Sequence, residues 1–168
     1  MIDPSEIITN LVAMLRDVPE LVAEMGDDFE RIYAYHDQYP KNASLVHAIH
    51  QMPAPSIMAV WQGTQPGSFG GVDVWKHQVT LFLRAKETLG GDPPTAYYRL
   101  FRLITKGVPA ADCDFEIAAS DGRRTPLHWS DHRLVTAVSH ATAVVVAVDA
   151  PVGHLRMSSE LKMTCKSR

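Results

Sequence analysis

A proline break, Met52-Pro53-Ala54-Pro55, passes the chain from an amphipathic helix to an apolar run, Ser56-Ile57-Met58-Ala59-Val60-Trp61. Proline fixes φ and removes a backbone donor, so a helix must end there and extended chain can begin. Behind the run stands Gly63-Thr64-Gln65-Pro66-Gly67-Ser68-Phe69-Gly70-Gly71, which reads as a glycine-rich loop, and then a long alternating strand over 72–86. Two strands joined by a loop longer than a tight turn form a projecting β-ribbon, a common contact element. Gly67, Ser68, Phe69, Gly70 and Gly71 at its tip are the candidate partner-binding residues. Phe69 is the strongest of them, because an aromatic ring at a glycine-rich tip is hard to bury within one subunit.

The flanking segments supply helices and further strands. Asp3-Pro4-Ser5-Glu6 is a helix start, with Asp3 as N-cap and Glu6 placed to reach back as in a capping box. Ile7, Ile8, Leu11, Val12 and Leu15 follow as one apolar face. A second short helix carries Leu21, Val22 and Met25 and stops at Gly26. Residues 29–35, aromatic and β-branched, predict a strand. The helix over 43–52 places Leu45, Val46, Ile49 and Met52 on one side and His47 and His50 on the other.

In the strand over 72–86, Trp75, His77, Val79, Leu81 and Leu83 share a buried face, and Lys76, Gln78, Thr80, Phe82 and Arg84 a mostly wet one. Tyr97, Leu100, Phe101 and Ile104 are the stripe of a third helix, which Asp92 caps and Gly107 and Pro109 end. Thereafter the chain reads as β: Cys113, Phe115 and Ile117 alternate with polar neighbours, a turn follows at Ser120-Asp121-Gly122, and residues 144–148 predict a strand covered on both faces. The alternation from Leu155 to Thr164 suits a closing hairpin partner. The expected fold is α+β, one domain over 1–168, with a mixed, mostly antiparallel sheet flanked by helices.

Composition bears on function chiefly by exclusion. A chain of 168 residues, 46% hydrophobic and 21% charged, has the makings of a real core without disulfides. A net charge of −3 gives no global attraction for nucleic acid or anionic membrane. The longest apolar run, 143–148, is far short of the roughly 20 residues a membrane span needs. Met1-Ile2-Asp3-Pro4 lacks the basic start of a signal peptide, so the chain is expected to stay where it is made. Cys113 and Cys165 match no CxxC spacing and read as reduced thiols, the first on a strand and the second in a fraying tail.

Eight histidines raise the question of a metal. His47 and His50 are three apart on a helix, and His128 and His132 four apart in a segment that reads as a loop. A catalytic zinc site usually takes three protein ligands and a structural one four, and neither pair has a third partner at usable spacing. There is no HEXXH, no GxSxG, and no Lys-Ser/Thr to complete a phosphate loop after Gly67-Ser68-Phe69-Gly70-Gly71. Asp27-Asp28 and Asp112/Asp114 sit where turn and strand-edge carboxylates are expected. No catalytic residue, metal or cofactor is assigned.

The order of elements, with Leu45-Val46-His47-Ala48-Ile49, Met52-Pro53-Ala54-Pro55-Ser56-Ile57 and the glycine-rich ribbon into His77-Gln78-Val79-Thr80-Leu81-Phe82-Leu83-Arg84, resembles the tail terminator (tail completion) proteins of long-tailed bacteriophages and prophages. The resemblance implies an α+β virion protein that assembles as a homo-oligomeric, hexameric ring at the head-proximal end of the tail, after synthesis in the host cytoplasm. Its implied partners are the major tail tube protein, whose polymerisation it stops, and the head-completion or connector protein; DNA passes through the lumen without specific binding. Two other classes stay open: a different head-tail joining or tail-tube-like assembly protein, and a small histidine- or metal-dependent enzyme.

Overall fold

The computed structural model describes residues 3–35, 44–69, 71–86, 93–108, 113–135 and 158–167. Helix α1 (Pro4–Arg16) starts where the sequence places it: Asp3 caps it by accepting from the Ser5 amide at 2.9 Å. Glu6 does not close a capping box. Its carboxylate instead accepts from the amide and hydroxyl of Ser120, both at 3.3 Å, and so ties α1 to a distant turn. Helix α2 (Pro19–Glu24) buries Leu21 and Met25 and ends as expected at Gly26.

Residues 29–35 are strand only in part. Phe29–Arg31 forms a 3-10 turn capped by Asp28, and β1 is the short Ile32–Ala34. The Arg16 guanidinium explains the break, because its Nε donates to the carbonyls of Phe29 and Ile32 at 3.1 and 2.9 Å and stacks over the Phe29 ring. Helix α3 (Leu45–Gln51) packs Leu45, Ala48 and Ile49 inward, followed by Met52, while Val46, expected on that side, is 64% exposed. His47 is exposed as predicted, and the side chain of His50 lies outside the described residues.

Strands β2 (Ser56–Phe69) and β3 (Val72–Arg84) are the longest elements of the sheet, and helix α4 (Pro93–Gly107) follows them. Tyr97, Leu100, Leu103 and Ile104 form its buried stripe, with Phe101 half-buried. Its last turn approaches α1 closely: a Cβ on Gly107 would stand 2.5 Å from Val18 Cγ2 and 3.1 Å from the Met14 carbonyl. Strands β4 (Cys113–Ala118), β5 (Arg124–Val135) and β6 (Ser158–Ser167) complete the described elements. Asp92, Pro109, Asp112 and the predicted strand over 144–148 lie outside the described residues.

The six strands form one sheet in the order β1-β2-β3-β6-β5-β4. Only β1 and β2 run parallel; every other neighbouring pair is antiparallel, so the α+β expectation of a mixed, mostly antiparallel sheet holds. β6 lies inside the sheet, paired antiparallel with β5 on one side and with β3 on the other. Cys165, expected in a fraying tail, stands there in register between His77 and Trp129.

Both faces of the sheet's middle are covered. Ile57, Ala59, Val79, Leu81 and Leu83 pack with α1, α2 and α4, and Tyr33, Met58, Val60 and Phe82 pack with α3 on the other side. The expected wet face of β3 is therefore wrong over its second half: Thr80, Phe82 and Arg84 are buried. The Arg84 guanidinium is accommodated there by donating to the carbonyl of Met52, which caps α3.

Candidate interaction site

The β2–β3 hairpin differs from its sequence reading in one consequential way. Pairing continues from Ser56↔Arg84 to Phe69↔Val72, so residues 63–69 of the glycine-rich stretch are strand and the chain reverses between Phe69 and Val72. Thr64-Gln65-Pro66-Gly67 has little intrinsic preference for a strand; register against β3 overrides it. Gly71, at φ +79°, takes the left-handed conformation that a two-residue turn demands and a side chain resists. A bulge between Trp61 and Gly63 re-aims the distal half of β2. Pro66 faces Trp75 in the register and is tolerated because a strand edge does not need its missing amide hydrogen.

Of the five tip residues, Ser68 and Gly71 are exposed and Gly67 half-buried against the Lys76 side chain. Phe69 is placed as the last paired residue of β2, and Gly70 lies outside the described residues. The hairpin as a whole is not solvated on both sides, since Val74 and His77 are buried.

The two edges of the sheet are treated differently. On β4, Asn10 from α1 closes the last position: its Nδ2 donates to the Ala118 carbonyl at 3.0 Å and its Oδ1 accepts from the Ala118 amide at 3.3 Å. On β2, the short β1 covers Ile57, Met58 and Ala59, and residues 60–69 have no neighbouring strand on that side among the described residues.

The histidines separate into different environments. His77 is fully buried, its Nδ1 2.9 Å from Thr64 Oγ1, and desolvation holds its pKa below the ordinary 6.5. His128 and His132, expected in a loop, belong to β5. The register pairs His128 with Lys166 and His132 with Met163, a four-residue step on one strand against three on the other across the Trp129/Asp131 bulge, so the two positions fall on opposite pleats. His128 Nδ1 lies 2.8 Å from Asp114 Oδ1. Pro126 disguised this strand in the sequence; it pairs with Glu116, where β5 has no described neighbour on its other side.

Other features have structural explanations. Asp28 serves the 3-10 turn, accepting from the Glu30 amide at 3.0 Å. A cavity of about 320 Å³ between α2, α4 and the end of β3 has Leu100, Ala96 and Ala85 in its lining, with Glu24, Lys86 and Arg99. Arg99 is held by Glu24 at 2.5 Å, and no histidine or cysteine lines the space. Among the described residues, no three His, Cys, Asp or Glu side chains converge where a metal could sit. Trp61 Nε1 is buried without a hydrogen-bond partner, next to the bulge that starts the unpaired edge. No known protein-family model matches this chain, and no characterised protein matches it in sequence.

Proposed function

We propose that this chain is a structural ring subunit of the tail-terminator kind, in which six copies close around an open channel at the head-proximal end of a phage tail tube. In that role it stops tube polymerisation, meets the tube protein on one side and the head connector on the other, and lets DNA pass. The observation that carries this reading is the contrast between the two sheet edges. A strand edge left open is a template for pairing with another chain. The β4 edge is closed at Ala118 by Asn10, whereas residues 60–69 of β2 extend past β1 toward the exposed Ser68 and Gly71. A long strand edge unpaired among the described residues, such as residues 60–69, suits a head-to-tail contact, the kind that makes rings.

Native mass spectrometry of the full chain, alone and with tube protein, reads the copy number. Six copies per ring are expected, and a monomer under both conditions overturns the proposal. Cryo-electron microscopy of intact particles provides the second test: this chain is expected as a six-copy layer between tube and connector, and a position away from the head-proximal end of the tail rules the reading out.

A further inference from the structure

The two ends of β3 carry features that the fold of one copy does not use. At the distal end, pairing with β6 stops at Trp75↔Ser167, while the hairpin with β2 continues to Val72. Val74 is buried there, but the alternate pleat is open. Asp73 and Ser68 stand opposite each other and are exposed, as are Trp75 and Pro66 two positions further along. Exposure on this pleat rises from 0% at His77 to 36% at Trp75, a residue whose spacing predicts burial. Asp73 is the only charged residue between Gln62 and Trp75.

At the proximal end lies the cavity of about 320 Å³ beside Ala85 and Lys86. Leu100 in its lining is buried, Ala85 and Ala96 are half-buried, and Lys86 and Arg99 are exposed, so the space is apolar at its base and cationic at its mouth. Arg99 already holds Glu24, which neutralises the carboxylate of the lining. Lys86 and Asp73 belong to no ion pair among the described residues. From Asp73 to Arg84 the strand rises roughly 36 Å, so the hairpin cannot reach the cavity of its own copy.

We infer that the open pleat of the hairpin, with Asp73 and Trp75, docks into the Lys86 cavity of a second copy of this chain. The inference rests on the reading of the chain as a head-to-tail ring subunit and assigns residues to one contact of that ring. Charge complementarity selects the occupant: the lone carboxylate of the distal hairpin meets the one cation of the cavity that has no partner. Trp75 and Pro66 supply apolar surface for the base, and an aromatic anchor in a desolvated pocket is the usual centre of a tight contact. Each copy offers the hairpin from one surface and the cavity from another, so the contact is heterologous and repeats from copy to copy until it closes.

The test is charge exchange, read by native mass spectrometry of the full chain with tube protein over a dilution series. Asp73→Lys and Lys86→Asp each set like charges face to face and raise the concentration at which rings form by about tenfold or more. The combined Asp73→Lys/Lys86→Asp variant restores the pair with reversed polarity and returns to within about threefold of the parent. Both positions are exposed, so all three variants melt within about 2 °C of the parent. Arg102→Asp, at an exposed α4 position outside the cavity lining, leaves ring formation unchanged. Single variants that assemble as well as a ring-forming parent, a combined variant still impaired at an unchanged melting temperature, or Arg102→Asp as damaging as Lys86→Asp would each overturn this contact and leave the ring reading standing. A parent that stays monomeric with tube protein overturns both.

Discussion

The two faces of the sheet use the same strands for different ends. Under α1, α2 and α4, apolar side chains from successive strands close into the larger part of the core, with Leu81 and Leu83 fully buried. On the other face the apolar patch under α3 is smaller, and beyond it the rows carry charged and amide residues, with Gln78 exposed. Burial of apolar area is the dominant stabilising term and is largely non-directional, whereas charged and amide residues lose least by staying in water. The comparison teaches that apolar burial is concentrated on one face, with β3 contributing to both.

The largest expected effect comes from opening the helix-covered face. Leu81→Ala leaves a cavity at a fully buried site and should cost about 2–5 kcal/mol in urea denaturation. A cost below about 1 kcal/mol would break the contrast between faces. Next comes overpacking at the α1–α4 approach. Gly107→Ala places a methyl against Val18 and the Met14 carbonyl and should destabilise by about 1–3 kcal/mol, although alanine is the better helix former. An unchanged or raised melting temperature would mean the two helices separate easily.

Acid sharpens the comparison through His77, which lies on the helix-covered face in the strand that also supplies Lys76. Its folded pKa is below the unfolded value, so the unfolded chain binds the extra proton first. Its contribution is complete above the unfolded pKa near 6.5 and is lost as pH falls from there through the folded pKa. The melting temperature should therefore drop between pH 7 and pH 5, and His77→Gln should reduce that slope; equal slopes for parent and variant would refute the assignment. The smallest effect is expected at the ribbon tip. Ser68→Asp, at an exposed position, should change stability by no more than about 0.5 kcal/mol while weakening ring formation as read by native mass spectrometry. A large loss of stability would make the tip part of the fold.

Several elements were legible in the sequence because they rest on local periodicity. The Asp3 cap, the faces of α1 and α4, the stop at Gly26 and the alternation of Phe115 and Ile117 with Asp114 and Glu116 depend on residues a few positions apart. Where tertiary contacts compete with propensity, the local reading failed: Thr64 to Phe69 reads as loop and is strand because β3 pairs with it, and His128 to His132 reads as loop and is strand between β4 and β6. Among the candidate tip residues, composition located Ser68 and Gly71, but the two-residue turn emerged only from the register.

The sequence by itself determined which segments are amphipathic, where most of the described helices start and stop, and that the chain is α+β, since side-chain period and backbone sterics act over one or two turns. The tertiary structure alone decided that β1 runs parallel to β2, that β6 enters between β3 and β5, and that Lys76 meets Lys166 while Lys162 meets Arg133. Pairing of strands far apart in sequence is set by which registers bury both faces at once, and a shift of one residue would send every one of those positions to the opposite face.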